Sequence, residues 1–334
     1  MVSLQISAPI ASDEGGVTRW QAELIDGERR QLLYFESDGF PAGEDRVPLR
    51  PCMLAALPIA MRRGCPLQIP GSLDTGSYRN LIEWQQAMAG WHPGDMQVVP
   101  LAVDVSSAPP AAAESGAATA FSGGVDSCYT AVRYSQDDDC RRQLEHPLRA
   151  GIMVHGMDIP LAGQGATQFD AAVARSQRVL ESLGLEALSV ATNARDLSEA
   201  EGVNWNTAAH GILIASAIAC FEARFAQVLI PSTYVYGCLR TPWASHPATD
   251  PLFSSSRVAY LHDGAEANKL DKVDVISPYP AVSEQLRVCW SGPRNDGNCG
   301  HCFKCVTTQA CFWLAGVESP AAFDSPARVE ELAA

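Results

Sequence analysis

From residue 117 onward, short apolar runs alternate with longer stretches in which apolar residues recur every three or four positions. The short runs cover residues 117–121, 151–155, 187–191 and 227–230, and they predict buried strands. A helix running to about residue 136 follows the first of them. Residues 167–183 place Phe169, Ala172, Val173, Ser176, Leu180 and Leu183 on one helical face, with Gly184 where a C-cap belongs. Residues 206–221 are apolar around most of the helical circumference, which predicts a largely buried helix. The order β-α-β-α-β-α-β predicts an α/β fold: a parallel sheet with helices on both faces. Ligands of such folds gather at the carboxyl ends of the strands. Val154 and His155, Thr192 and Asn193, and Ser232 and Thr233 hold those positions, so they are expected on one rim.

Residues 1–105 have a different texture. β-rich pieces at 31–36 and 97–105 and helical pieces at 52–62 and 78–88 predict a smaller β-containing domain, without a catalytic motif. Residues 106–116, rich in Pro, Ala and Ser, predict a linker. The expected domains are therefore 1–105, an accessory or substrate domain; 117–285, a nucleotide-handling domain; and 286–334, a cysteine knuckle with a helical segment.

Composition narrows the classes. The 334 residues are 47% apolar and 19% charged, enough to bury a sizeable core. No run of eighteen apolar residues occurs, so no membrane partner is expected. Met1 to Ile10 lacks a basic, then apolar, leader pattern, so no signal peptide and a cytoplasmic location are expected. The formal charge of −14 disfavours a nucleic-acid partner, whose backbone demands basic contacts. A small, acidic molecule or a protein acceptor fits better, and a homodimer stays open. Eleven cysteines, an odd number, suit clustered metal ligands better than a disulfide scaffold.

Two constellations carry chemistry. The first is Phe121-Ser122-Gly123-Gly124-Val125-Asp126-Ser127, between the first strand and the first helix. Adjacent glycines let successive amides face one concavity, and the helix beginning at about Asp126 adds its positive end. Ser122 and Ser127 offer hydroxyls, and Asp126 can hold a metal ion beside phosphates. A Walker A loop needs a lysine after its last glycine. The chain's three lysines, Lys269, Lys272 and Lys304, lie far away in sequence. The second constellation is Cys289, Cys299, Cys302 and Cys305, spaced as Cys-x9-Cys-x2-Cys-x2-Cys. Four thiolates make a closed tetrahedral zinc site, with an iron–sulfur cluster as the rival and His301 as a non-ligand neighbour.

Ser-Gly-Gly-Val-Asp-Ser after a strand resembles the PP-loop of the N-type ATP pyrophosphatases. With the four cysteines downstream, residues 117–313 resemble the 7-cyano-7-deazaguanine synthase branch of that superfamily. His210-Gly211, Ser245-His246-Pro247, Asp250-Pro251-Leu252 and the Lys269/Lys272 pair are similar to a related group of less defined function. The resemblance implies a Rossmann-like parallel sheet with a zinc knuckle near the active site. It implies ATP, Mg²⁺ and Zn²⁺ as cofactors, with residues 121–127 on the pyrophosphate. It further implies transfer of AMP to a carboxylate and attack by a nitrogen nucleophile, giving an amide, a nitrile or a ligated product. Ser122, Asp126, Ser127, Lys269, Lys272 and His246 are the expected catalytic groups. Val154, His155, Thr192 and Ser232 are expected around the nucleotide, and Arg287 and Arg294 are further candidate cations. Asp250 reads as a metal ligand or a turn cap. The domain before residue 117 points to an acceptor of another kind. Sulfur insertion through Cys128 or Cys238, and a non-catalytic nucleotide- and zinc-binding protein, are the alternatives.

Overall fold

The computed structural model describes residues 3–40, 48–106, 115–289 and 297–327. Linker residues 107–114, Arg294 within 290–296, and residues 328–334 lie outside the described residues. The chain is mixed α/β. Its first part contains β1 (Leu4–Ile6), β2 (Ile10–Glu14), β3 (Val17–Asp26), β4 (Arg29–Ser37), α1 (Leu49–Arg63), β5 (Leu67–Asp74), α2 (Thr75–Trp91) and β6 (Leu101–Ser106). Next come β7 (Ala117–Ala120), α3 (Val125–Gln136), α4 (Asp138–Arg141), β8 (Leu148–His155), α5 (Gly165–Ser182), β9 (Glu186–Thr192), α6 (Ala194–Ala200) and α7 (His210–Ile218). The last elements are β10 (Gln227–Pro231), β11 (Ala259–Asp263), α8 (Lys269–Ile276), α9 (Pro280–Gln285) and α10 (Phe303–Leu314). Among the described residues no helix is long and apolar enough to cross a membrane.

Contacts divide the chain into two compact units, each discontinuous in sequence. Unit one is Met1–Ser115, Ser189–Ile230 and Arg240–His262; unit two is Gly116–Leu188, Pro231–Leu239 and Asp263–Ala334. Residues 189–230 and 240–262 thus group with the N-terminal residues, whereas the sequence pattern assigns them to the segment 117–285. Strand pairing and helix packing draw them there. Thr192 and Ala191 pair antiparallel with Phe35 and Glu36 of β4, α7 packs on α1, and the Ala259 amide donates to the Ala226 carbonyl.

In unit one β2, β3 and β4 form an antiparallel meander. The Glu14–Val17 pair closes a two-residue turn in which Gly15 and Gly16 both have positive φ, 60° and 84°, as a type I′ hairpin requires. β1 joins β3 antiparallel and β5 parallel, and β5 carries β6 in parallel. The N-terminal strands therefore pair both parallel and antiparallel, and the β-containing character expected of residues 1–105 is present. Helix α1 is buried from Arg50 to Met61 because strands and α7 cover it. Its one buried charge, Arg50, is matched by Glu222 at 2.9 Å. The apolar segment 206–221 is not one helix: a π turn at Trp205–Ala209 precedes α7, and a 3-10 turn at Ala219–Phe221 ends it. A Cβ on Gly211 would stand 2.1 Å from the Ala244 carbonyl oxygen, so this glycine admits backbone, not a ligand.

In unit two β7 and β8 pair in parallel, from Ala117 opposite Leu148 to Ala120 opposite Ile152. The parallel βαβ expectation holds for this pair. α5 buries Phe169, Ala172, Ser176, Val179 and Leu180 and ends in a Gly184 turn with φ 73°. There the Leu185 amide reaches back to the Leu180 carbonyl, the 6→1 bond of a Schellman motif. α3 is pinned by a buried carboxylate, since Asp263 accepts from Thr130 Oγ1 (2.6 Å) and Tyr134 OH (2.8 Å). α3 packs on α8, and α8 on α10.

Candidate functional site

The loop between β7 and α3 lies wholly in unit two. The Phe121 amide still bonds to the β8 carbonyl of Ile152 (2.9 Å), so the loop leaves the sheet only after Phe121. Gly123 has φ 73°, a left-handed conformation that costs another residue about 1–2 kcal/mol. Gly124 is the N-cap residue and Val125 opens α3, one residue before the expected start. Ser127 Oγ donates to the Gly124 carbonyl (3.1 Å) and accepts from the Ser122 amide (3.3 Å). Ser122 Oγ lies 3.4 Å from both Ser127 Oγ and the Gly124 amide. The amides of Gly123, Val125, Asp126 and Ser127 have no hydrogen-bond acceptor among the described residues. Three of them belong to the first turn of α3, where the helix dipole is positive. A cluster of unengaged amides with two hydroxyls is chemically suited to an oxyanion.

The cations missing from the loop come from α8. Lys272 Nζ donates to Asp126 Oδ1 (2.7 Å) and to the Ser232 carbonyl (2.5 Å). Its side chain is 2% exposed, while that of Asp126 is 36% exposed. Lys269 lies one helical turn earlier and is held differently. Its recorded hydrogen bond, to Thr307 Oγ1 of α10, is 3.4 Å long. Burial pushes its pKa below the usual lysine value, and Lys304 and Lys272 push the same way against the pull of Asp126. One lysine is thus locked to a carboxylate, and the other is a partly desolvated ammonium beside a hydroxyl. From the other side Arg287 donates its amide to the Gly123 carbonyl (2.8 Å) and a guanidinium nitrogen to the Ser122 carbonyl (3.4 Å).

The remaining expected residues are placed as follows. Ser232 is buried in unit two, where its amide donates to the Asp263 carbonyl (2.7 Å) and its hydroxyl to the Tyr234 carbonyl (2.6 Å). Val154 is half-buried near the end of β8. His155 follows it with its ring stacked on Phe169 (centroids 4.4 Å apart) and Nε2 3.1 Å from the Pro160 carbonyl. Burial lowers the His155 pKa. Thr192 and His246 belong to unit one. Thr192 is buried, and its hydroxyl accepts the Ala194 amide (3.2 Å). His246 packs edge-on to Trp91, and its Nδ1 accepts the Ala248 amide (3.0 Å). Asp250, fully buried, accepts from Ser245 Oγ, the His246 amide and His262 Nδ1, which is the arrangement of a turn cap. Cys128 is buried, and burial pushes its thiol pKa far above the usual value.

The four cysteines converge. Their sulfurs all lie within 4.8 Å of one another, with Cys289–Cys302 at 3.8 Å and Cys299–Cys305 at 3.9 Å. Sulfurs about 2.3 Å from one tetrahedral ion stand about 3.8 Å apart, so this set could bind a single metal ion such as zinc. A four-iron cluster places several irons among its thiolates and spreads them wider. His301 is exposed and outside the set. Gly300, at φ 81°, turns the chain between two ligands, and a Cβ there would meet the Ser325 carbonyl oxygen at 2.6 Å. Sequence reasoning missed Asn298. Its Oδ1 accepts the Val288 and Cys289 amides (2.8 and 3.1 Å), and its Nδ2 donates to the Leu286 and Ala322 carbonyls (2.7 and 2.9 Å). Thr307 and Asp263 were missed as well. Nothing local marks such residues, because their partners come from distant segments. Comparison with protein-family models, curated proteins and solved structures finds no match.

Proposed function

We propose that this protein is an ATP-dependent enzyme of PP-loop type, built on a Rossmann-like unit. In this reading it transfers AMP to a carboxylate, or another carbonyl oxygen, of a small-molecule or protein acceptor and releases pyrophosphate. The observation that carries the reading is the set of unengaged amides at the start of α3, framed by Ser122 and Ser127 and flanked by Asp126, Lys272 and Lys269. A carboxylate is a poor electrophile at neutral pH, and its adenylate is a good one. The protein's task is to neutralise charge growing on the leaving pyrophosphate while holding the reactants in line. The amides and hydroxyls would take the pyrophosphate oxygens. Asp126 would hold Mg²⁺, which would supply positive charge to screen the phosphates. Lys272 would hold Asp126 in orientation, and Lys269 would face the incoming anion. The cysteine set would hold Zn²⁺ as a closed, non-reactive centre. A nitrogen nucleophile would then attack the adenylate's carbonyl carbon, forming the C–N bond as the bond to the AMP oxygen breaks and AMP leaves.

Sulfur transfer through Cys128 has less support, because a fully buried thiol with a raised pKa supplies little thiolate. The test is mass spectrometry of reactions containing ATP, Mg²⁺ and a panel of carboxylates. The reading expects AMP, pyrophosphate and an altered acceptor mass, all lost in Asp126→Asn. Formation of ADP and phosphate in place of AMP would overturn it.

A further inference from the structure

The cysteine set and the glycine loop are joined by a very short path. Arg287 bonds to the loop at two carbonyls, Gly123 through its amide and Ser122 through its guanidinium. Two residues later the chain supplies Cys289, a buried member of the set. This stretch of backbone is clamped by Asn298, which is 6% exposed, accepts the Val288 and Cys289 amides and donates to the Leu286 carbonyl. Asn298 itself immediately precedes Cys299, so it ties both arms of the set together. A second path leaves from the other side. Cys305 lies in α10, whose Thr307 meets Lys269, and α10 packs on α8, whose Lys272 grips Asp126. The two carbonyls bonded to Arg287 and the carboxylate held by Lys272 are parts of the same seven-residue loop.

We infer that Asn298 and Arg287 are positioning residues for the phosphate cradle, and that metal occupancy of the cysteine set and anion occupancy of the loop are coupled through them. The inference rests on reading the loop as an oxyanion site. An ion at the cysteines fixes Cys289, hence Val288 and Arg287, hence the two peptide units whose carbonyls Arg287 holds, one of which carries the unengaged Gly123 amide. Coupling of this kind is reciprocal: whatever the metal does for anion affinity, the anion does for metal affinity.

The experiment uses the full chain loaded with zinc. Zinc release into excess of a colorimetric chelator is timed in the regime where the protein's own dissociation is limiting, with and without inorganic pyrophosphate and Mg²⁺. Pyrophosphate binding is measured by calorimetry on the same preparation. Wild type should release zinc at least about fivefold more slowly when pyrophosphate is saturating, the low end for coupled sites. Asn298→Ala, which touches neither ligand, should bind pyrophosphate more weakly while still folded by circular dichroism. Asn298→Asp, which keeps the acceptor for Val288 and Cys289, should recover part of that loss. Pyrophosphate binding without any change in zinc release, or full affinity in Asn298→Ala, would overturn the coupling and leave the oxyanion reading standing. Failure of the zinc-loaded wild type to bind pyrophosphate would refute both.

Discussion

Replacing Asp126 with Asn should destabilise the protein more than replacing Lys272 with Met, although each change breaks the same ion pair. The two ends differ in exposure, 2% for the lysine side chain and 36% for the aspartate. Breaking a fully buried pair costs about 3–5 kcal/mol, and breaking an exposed one about 0–1 kcal/mol. Asp126→Asn strands the buried ammonium between two neutral oxygens, and the mixed exposure of the pair puts its cost near ~2 kcal/mol. Lys272→Met leaves a carboxylate that can turn to water and a Ser232 carbonyl without its donor, a loss of about 1 kcal/mol. The double variant should cost little more than Lys272→Met alone, which makes the coupling about 1–2 kcal/mol. Urea unfolding of the four proteins at constant slope measures this cycle. Equal costs for the two single variants would show that Asp126 is not the counter-charge of Lys272.

Gly123→Ala should cost about 1–2 kcal/mol, from the left-handed backbone, and its Cβ would also press on Ser176 Oγ at 3.3 Å. Pyrophosphate calorimetry should show weaker binding in the same variant. Lys269→Met should do the opposite to stability, raising the thermal midpoint slightly by removing a desolvated ammonium, while weakening pyrophosphate binding several-fold. Elemental analysis should find one zinc per chain in wild type and none in Cys305→Ser, and stripping the metal should lower the thermal midpoint by several degrees.

The two chemical constellations were legible because each is nearly contiguous. A glycine pair before a helix and three cysteines at x2 spacing announce their geometry without knowledge of the fold. The strands at β8, β9 and β10 were legible as apolar runs, and their bounds differ from the expected ones by three residues or fewer. Strand β5 was not found because Pro70 and Gly71 interrupt its alternation, and β3 was missed although Trp20, Ala22 and Leu24 alternate with polar residues along it. Residues 206–221 form less helix than the pattern predicts, because a continuous apolar run hides a π turn from any periodicity argument. Lys269 and Lys272 could be named from their i, i+3 spacing. Their different fates could not, because one faces Asp126 across 146 positions of chain and the other faces Thr307. Asn298 was invisible for the same reason: its four partners belong to Leu286, Val288, Cys289 and Ala322.

Charge at the loop has one further consequence for the proposed reaction. The chain has 24 basic and 38 acidic residues, so cations at any site are scarce. At the loop the Asp126 carboxylate and the Lys272 ammonium cancel, which leaves the helix end, Lys269 and the Arg287 guanidinium on the Ser122 carbonyl. A helix terminus carries about half a charge, and the lysine and the arginine add about one each. Free ATP brings about four negative charges at neutral pH, more than this site offsets, whereas its Mg²⁺ complex brings about two. The nucleotide should therefore bind as the magnesium complex, at least about tenfold tighter than ATP in magnesium-free buffer, a difference of about 1.4 kcal/mol. Calorimetry of the zinc-loaded protein at fixed ionic strength reads it directly. Equal affinities would mean that positive charge beyond Lys269, Arg287 and the α3 amides reaches the phosphates, and would refute this account of how the loop is balanced.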